Sequence, residues 1–222
     1  MCGRFTLTVD EGELNQQFPD FAFPQGVAPR YNIAPGQPVL ALANDDKRTA
    51  DFFTWGLIPS WAKDPAIGNR MINARAETLA EKPSFRGSLK YKRCVIFADG
   101  FYEWKAVAGS KAKVPHYVKM KDEAPFAFAG LWDNWQSPDG SLIRSCTIIT
   151  TAPNPLMAAI HNRMPAILEH HDIPSWLDSA PRAAESLQPL LAPYSAERMT
   201  AHVVSTMVNR PANDSPECIA PA

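Results

Sequence analysis

The chain of 222 residues is 45% hydrophobic, and its 22 basic side chains nearly balance 23 acidic ones, giving a formal net charge of −1. This length and composition predict one globular domain with a sizeable core, and the near-neutral charge neither favours nor excludes nucleic acid as a partner. No apolar run approaches the roughly 18 residues of a membrane span and no signal peptide is recognisable, so we expect a cytoplasmic, nucleoid-associated protein.

The first residues predict a strand and a reactive terminus. Residues 2–8 (CGRFTLT) alternate loosely and end in β-branched residues, which indicates a strand with Cys2 at its start. Removal of Met1 would leave Cys2 with a free α-amine and a thiol two carbons apart. Such a group condenses with an aldehyde through the amine, and the thiol then closes a thiazolidine ring. From these residues alone, Cys2 is either that nucleophile or simply a small residue behind the initiator.

A capping box predicts the first helix. Asp10 is followed three residues later by Glu13, and Leu14 and Phe18 form an apolar pair four residues apart. We therefore expect a short helix through Phe18. The prolines between residues 19 and 29 predict a loop after it.

A hairpin and an aromatic loop are predicted next. Residues 35 and 36 (PG) mark a turn before a strand over residues 39–43, which pairs with a second strand over residues 49–57. Residues 55–61 (WGLIPSW) include an irregular loop that ends in Trp61. This loop either packs on the core, as tryptophan usually does, or presents Trp61 at the surface.

The segment after this loop is expected to change from strand to helix. Residues 71–78 (MINARAET) begin as a short strand and turn helical near Glu77, and Pro83 opens a further helical turn over residues 84–88. Side chains two residues apart in an extended segment share a side. We therefore expect Asn73 and Arg75 to face the same way.

Two consecutive strands follow, and the second contains a carboxylate. Residues 93–98 (RCVIFA) predict a buried strand, and an Asp-Gly bend leads into a strand over residues 101–105. Phe101, Glu103 and Lys105 are expected on one face. Glu103 is either a solvent-facing position of a half-exposed sheet, which is the more common arrangement, or a group placed there for another reason.

The remaining elements complete an α+β fold. Further strands are predicted over residues 116–120, 126–129, 142–150 and 202–205, and helices over residues 153–159, 172–177 and 182–191. His161 and Arg163 fall where the first of these helices must stop. We expect a single domain over residues 1–222 in which predominantly antiparallel strands form a partly closed, barrel-like sheet flanked by helices.

The cysteines predict neither a disulfide framework nor a structural metal. Cys2, Cys94, Cys146 and Cys218 form no CxxC pair and no zinc-like spacing with the five histidines. Cys94 and Cys146 lie in apolar runs that are typical of buried thiols. No cofactor is implied.

Six segments in order carry a resemblance to a known family. They are residues 1–5 (MCGRF), 31–36 (YNIAPG), 55–61 (WGLIPSW), 72–78 (INARAET), 97–104 (FADGFYEW) and 160–165 (IHNRMP). Together they resemble the SOS-response-associated peptidase family of abasic-site processing proteins. The match runs from residue 2 to a tail motif that ends at Glu217, so it covers essentially the whole chain.

The resemblance implies an enzyme that binds single-stranded DNA and traps abasic sites as a covalent thiazolidine on Cys2, shielding them in the DNA damage response. It also implies autocatalytic removal of Met1, which is a hydrolase (peptidase) activity. A lyase activity is implied by the same resemblance. By family position, His161 is the acid that assists opening of the sugar ring, and Glu103 is the base that takes a proton from the Cys2 amine. Asn73 holds the sugar and the Cys2 terminus.

The same resemblance implies a set of DNA contacts. Guanidinium groups grip phosphates in bidentate fashion, and aromatic or proline rings can stack on bases or wedge between them. The candidates are Arg4, Asn32, Pro35, Trp61, Arg75 and Arg163. Some bacterial members carry two adjacent tryptophans where this chain has Trp61 followed by Ala62, so the stacking platform differs here.

Two other functions fit part of the pattern. Class II glutamine amidotransferases also begin Met-Cys-Gly and use the exposed thiol as an N-terminal nucleophile, although they would not supply the segments around Asn73 and Glu103. A non-catalytic single-strand binder would show only salt-reversible binding. A monomer is the default expectation, and recruitment by a replication-fork partner stays open.

Overall fold

The structure is a computed structural model that describes residues 2–222, so the predicted removal of Met1 concerns a residue outside the described range. The strands are β1 (Phe5–Leu7), β2 (Arg30–Ile33), β3 (Pro38–Ala43), β4 (Asp51–Trp55), β5 (Asn73–Arg75), β6 (Arg93–Ala98), β7 (Gly100–Ala106), β8 (Lys113–Met120), β9 (Phe126–Gln136), β10 (Leu142–Thr151), β11 (Met164–Pro165), β12 (Ile167–Leu168) and β13 (Met199–Val203). The α-helices are α1 (Glu11–Gln17), α2 (Pro83–Tyr91), α3 (Pro155–Ala158), α4 (Ile173–Trp176) and α5 (Ala184–Leu187).

Five strands of the larger sheet close into a barrel. They follow the order β10-β4-β3-β6-β9, and the ring closes because β9 also pairs with β10. The predicted hairpin is present as β3 and β4, with Val39 opposite Phe53. Most pairings are antiparallel, whereas β10 runs parallel to both β4 and β5. The predicted α+β class with a barrel-like antiparallel sheet is thereby confirmed.

The strand predicted to end at Ala129 instead continues to Gln136 as β9, the longest strand in the described part of the chain. The prediction stopped short because Gly130 reads as a breaker. A Cβ at Gly130 would lie 2.9 Å from Cys94 Sγ and 3.0 Å from Thr147 O, so the glycine allows β9 to pass closely between β6 and β10. Both Cys94 and Cys146 are buried, as the sequence predicted.

A second sheet, in the order β13-β8-β7-β1-β2, carries the N-terminal residues. Its strand β1 begins at Phe5, not at Cys2, so residues 2–4 precede the regular ladder. The Phe5 ring packs edge-on against Trp55 of β4 and Phe128 of β9, with centroid distances of 5.1 and 5.6 Å. This contact joins the two sheets directly behind the chain terminus.

The capping box of α1 is present: the Glu13 backbone N–H donates to the Asp10 carboxylate, and the Asp10 backbone N–H donates to that of Glu13. The helix predicted over residues 172–177 is present as α4, with Asp172 and Leu177 as its caps. The helix predicted over residues 182–191 is wrong as a continuous element. It is divided between α5 and a 3₁₀-helix at Gln188–Leu191, where Pro189 offers no backbone N–H.

The last strand also differs from the prediction over residues 202–205. It is β13, which pairs along its whole length with β8, from Met199 opposite Met120 to Val203 opposite His116. The strand stops there because the Ser205 side chain caps a 3₁₀-helix at Thr206–Asn209. Within residues 2–222, none of the helices combines the length and apolarity needed to cross a bilayer.

Candidate active site

Cys2 is buried where the two sheets meet, and Asn73 holds it from the barrel side. The Asn73 Nδ2 amide donates to Cys2 O at 2.7 Å. Asn73 is fixed in turn because it begins β5 and pairs in parallel with Ile148 of β10. Among residues 2–222, the buried Asn73 Oδ1 accepts no hydrogen bond. The side chain therefore grips the terminus with one end and keeps an acceptor for another group.

Glu103 lies on β7, next to β1, and only 2% of it is exposed. The solvent-facing alternative considered for this residue is therefore wrong, because the rest of the fold covers that face of β7. Burial raises the pKa of the Glu103 carboxyl above its usual range, and nearby His161 opposes the shift. The carboxyl is thus a stronger proton acceptor than an exposed glutamate.

His161 stands beside Glu103, with 4.0 Å between His161 Nδ1 and Glu103 Oε1. Its backbone N–H donates to Met157 O at 2.7 Å, which places it at the end of α3 as the sequence indicated. The Arg163 backbone N–H donates to His161 Nδ1 at 3.1 Å. Nδ1 also lies 3.3 Å from Arg163 O, so the backbone of Arg163 orients the imidazole ring beside Glu103.

The Cys2 thiol is held in its protonated form. Burial raises its pKa well above the usual range, and the neighbouring Glu103 carboxylate raises it further. The Sγ atom also lies 3.9 Å from Arg4 O, to which the thiol donates. A buried, neutral thiol beside a buried carboxylate can act as a nucleophile only when its proton is transferred as it attacks.

Arg75 and Arg163 lie on neighbouring elements, together with an acidic residue that the sequence analysis did not single out. Arg75 is exposed at the end of β5 and pairs with Thr150 of β10. Arg163 is mostly covered and forms a two-pronged ion pair with Glu77, at 2.5 Å from Nη1 and 3.0 Å from Nη2. Sequence spacing gave no sign of this pair, since its members are 86 positions apart.

Arg4 and Asn32 form a different contact, with the C-terminal segment of the chain. Arg4 Nη1 donates to Asn32 Oδ1 and to Val208 O, each at 2.7 Å. The Asn32 amide is completely buried and donates to the backbone carbonyls of Val208, Arg210 and Asn213. These bonds position Arg4, and a direct DNA contact by either residue stays a prediction.

Pro35 and Trp61 are at the surface. Pro35 occupies the exposed corner of the predicted turn, where Gly36 takes a φ of 83° and Gln37 N donates to Ala34 O at 3.2 Å. Trp61 is 60% exposed, so the alternative in which it packs on the core is wrong. Ala62 behind it is buried, and only one indole is presented by this loop.

The loop that carries Trp61 is held by hydrogen bonds on both sides of the ring. Ile58 N donates to Ser145 Oγ at 2.8 Å, and Ser60 N donates to Asp133 Oδ2 at 2.9 Å. On the other side, Trp135 Nε1 donates to Ala62 O at 2.7 Å. The exposed ring therefore projects from a fixed backbone, beside a groove of about 270 Å³ against α2.

The structure thus brings Cys2, Asn73, Glu103 and His161 together, with Arg163 bonded to the histidine. Pro35, Trp61 and Arg75 are exposed, whereas Arg4 and Asn32 face the C-terminal segment. Among residues 2–222, no group of three or more His, Cys, Asp and Glu side chains is arranged to hold a metal ion. The cluster is suited to moving protons near the Cys2 thiol.

Comparison with known proteins gives consistent matches. A family model described as "SOS response associated peptidase (SRAP)" matches residues 1–211. The chain is 50% identical to the "Abasic site processing protein YoqW" of Bacillus subtilis (strain 168), over 99% of each chain. It is 34% identical to the "Abasic site processing protein HMCES" of Pongo abelii, which aligns over all of this chain and 76% of that relative. A crystal structure of a Bacteroides thetaiotaomicron protein superposes with a TM-score of 0.88 at 28% identity, over the whole of both chains.

Proposed function

This chain belongs to the SOS response associated peptidase family, and on that footing we propose that it captures abasic sites in single-stranded DNA as a covalent adduct of Cys2. The observation that carries the proposal is the buried cluster around the terminus. Asn73 grips the Cys2 carbonyl at 2.7 Å, and a buried carboxyl with a raised pKa lies next to the thiol. An amine, a thiol, a base and an acid are what aldehyde capture requires.

The reaction begins with opening of the sugar, since an abasic deoxyribose is mostly a closed hemiacetal. In the opening step the hydroxyl on C1′ loses its proton, the bond between C1′ and the ring oxygen breaks, and that oxygen is protonated. We assign the proton for the ring oxygen to His161, whose imidazole is oriented by the backbone of Arg163. Asn73 Oδ1 is the acceptor available for a sugar hydroxyl.

The Cys2 amine then attacks the aldehyde carbon. Glu103 accepts the ammonium proton, for which its raised pKa suits it. The resulting carbinolamine loses water to give an imine. Because the thiol is protonated, it closes the ring only after the imine has formed, with sulfur bonding to carbon while the proton passes through Glu103 to nitrogen. In sum, aminothiol and aldehyde give thiazolidine and one water.

The amine is available only after Met1 has been removed, and we assign that hydrolysis to the same site. The simplest route is attack by the Cys2 thiol on the Met1 carbonyl carbon, with Glu103 as the acceptor of the thiol proton. The Met1–Cys2 C–N bond breaks as the acyl group moves to sulfur and the nitrogen takes up the proton, and water then hydrolyses the thioester to release methionine and restore the thiol. The adduct shields the abasic site. This protection matters in a single strand, which has no complementary strand to serve as a template for repair. We expect no cleavage of unrelated peptides, because the nucleophile lies at the chain's own terminus.

The test is denaturing electrophoresis of Met1-processed protein with single-stranded DNA containing one abasic site. We expect a band that survives heat and detergent, and mass spectrometry should place the DNA remnant on Cys2 with loss of one water. An intact strand of the same sequence should give no such band. If the abasic strand also gives none, the proposal fails, and glutamine hydrolysis becomes the activity to assay next.

We further propose that Trp61 stacks on a base of the bound strand. Trp61→Ala should weaken binding of an undamaged single strand by roughly 1–3 kcal/mol, the usual contribution of one stacked base. The melting temperature should not change, because the loop is held through its backbone. Fluorescence anisotropy measures the affinity.

Phe52→Ala is the matched control for Trp61, since Phe52 is an aromatic residue of β4 with 48% exposure. This control should leave the affinity unchanged. Equal losses in the two variants would show that Trp61 has no special part in binding DNA.

A further inference from the structure

The outer edge of Arg163 is occupied by a carboxylate of the same chain. Two of its guanidinium nitrogens contact the two Glu77 oxygens, at 2.5 and 3.0 Å. On the inner side, Nη2 also donates to Thr150 O at 2.5 Å. The Arg163 side chain is 14% exposed and that of Glu77 is 49% exposed, so the glutamate is the outer partner.

This geometry is the one in which a guanidinium binds a phosphate. Carboxylate and phosphate both present two oxygens to the planar fork, and each accepts two parallel hydrogen bonds. The bond to Thr150 O fixes the plane of the guanidinium, so the edge that faces outward is already oriented. Glu77 therefore holds the position that a strand phosphate would take at Arg163.

The charges around Glu77 favour its ionised form. The hydrogen bond from Arg163 lowers the pKa of the Glu77 carboxyl, and the charges of Arg163 and Arg75 lower it further. A phosphate that reaches Arg163 consequently replaces a charged ligand, and no vacant binding site is available to it. Binding at this arginine is an exchange of one anion for another.

We propose that Glu77 is a built-in competitor for the strand phosphate at Arg163 and so reduces the affinity of the protein for undamaged DNA. The inference rests on the proposed function. Binding of an intact strand depends on reversible contacts alone, so displacement of Glu77 weakens it directly. An abasic strand is retained by the covalent bond to Cys2 once it has reacted. The competitor thus favours release of strands that carry no aldehyde.

The test compares affinities for a labelled, undamaged single strand. Glu77→Gln removes the charge with little change of shape, and we expect it to bind more tightly by up to about fivefold, the upper end of what a partly exposed ion pair contributes. Glu77→Asp keeps the charge but shortens the side chain by one methylene. It should also bind more tightly than the wild type, because the two-pronged contact is lost.

Two controls separate pairing from net charge. Glu81→Gln makes the same charge change at an exposed position four residues along. It should have a smaller effect than Glu77→Gln. In an Arg163→Ala background, Glu77→Gln should change the affinity no more than Glu81→Gln does, because the guanidinium for which Glu77 and the phosphate compete has been removed. Melting temperatures of all variants establish that they are folded.

The outcomes are distinguishable from failure of the proposed function. If the wild type neither binds single strands nor forms an adduct, the proposed function fails. If the wild type binds but Glu77→Gln and Glu81→Gln change the affinity equally, Glu77 does not compete for Arg163. The same conclusion follows if Glu77→Asp has the wild-type affinity. In both cases the proposed capture of abasic DNA is unaffected. If Glu77→Gln binds the strand more weakly than the wild type, the proposal is also refuted, because Glu77 would then orient Arg163 for DNA binding.

Discussion

A Cys2→Ser variant, with Met1 removed, should form no heat-stable adduct with an abasic strand unless borohydride is present. Serine keeps the α-amine, so an imine with the aldehyde can still form. The hydroxyl is a much poorer nucleophile than the thiol and does not close the ring at a comparable rate. The open imine hydrolyses on denaturation, whereas borohydride reduces it to a stable amine.

The experiment runs wild type, Cys2→Ser and Cys2→Ala side by side, each with and without borohydride, after mass spectrometry has verified Met1 removal. Both variants should lose the heat-stable band and regain a band on reduction. A heat-stable band from Cys2→Ser without borohydride would show that sulfur is not part of the linkage. A band that neither variant regains would show that the amine does not react.

Glu103→Gln should slow adduct formation by roughly 10²–10⁴-fold, the usual contribution of a positioned proton acceptor. The wild-type rate should rise with pH as Glu103 loses its proton. Because burial raises the pKa of Glu103, the midpoint should lie above the ordinary glutamate value of about 4.3. Single-turnover rates measured across pH should show this inflection in the wild type and lack it in the variant.

The same variant should be more stable than the wild type at neutral pH. The folded state holds the Glu103 proton more tightly than the unfolded state, so the wild type loses stability as pH rises from the unfolded pKa through the folded one. A folded pKa that is higher than the unfolded pKa by one corresponds to about 1.4 kcal/mol of lost stability. Denaturant unfolding should therefore show a gain for Glu103→Gln at pH 7 that disappears below about pH 4.

A slow variant that is also less stable would identify Glu103 as a structural residue. Undamaged-strand binding gives a second check, because a proton acceptor should contribute little to it. Glu103→Asp is the conservative control, since it keeps the charge and withdraws it by one methylene. Partial activity in that variant would support a role in proton transfer.

Elements whose signals are local were predicted correctly from the sequence. The capping box of α1 depends on Asp10 and Glu13, three residues apart, and β6 matches its predicted bounds because a short apolar run defines it. The Pro-Gly turn is present for the same reason. In each case the physical cause lies within a few residues of the element it explains.

Features that depend on distant residues were not predictable in this way. Glu103 is buried because parts of the chain far from it in sequence cover its face of β7. The alternation of side chains along β7 alone favoured a solvent-facing position. The pairing of Glu77 with Arg163 and that of Asn32 with the C-terminal segment join positions far apart in sequence. The family resemblance brought the candidate residues together, but it carried no information on which of them bond to one another.

Two sets of hydrogen bonds hold the N-terminal segment, and they make the position of the reacting amine depend on where the chain starts. Asn73 holds the carbonyl of Cys2, and Arg4 is tied to residues near the other end of the chain. The backbone of residues 2–4 is thus anchored through both Cys2 and Arg4. An extra residue in front would carry the amine about 3.3 Å farther along an extended chain. We therefore expect a chain with extra residues in front of Cys2 to place its reacting amine differently from a chain that starts at Cys2, and to capture no abasic sites until those residues are removed.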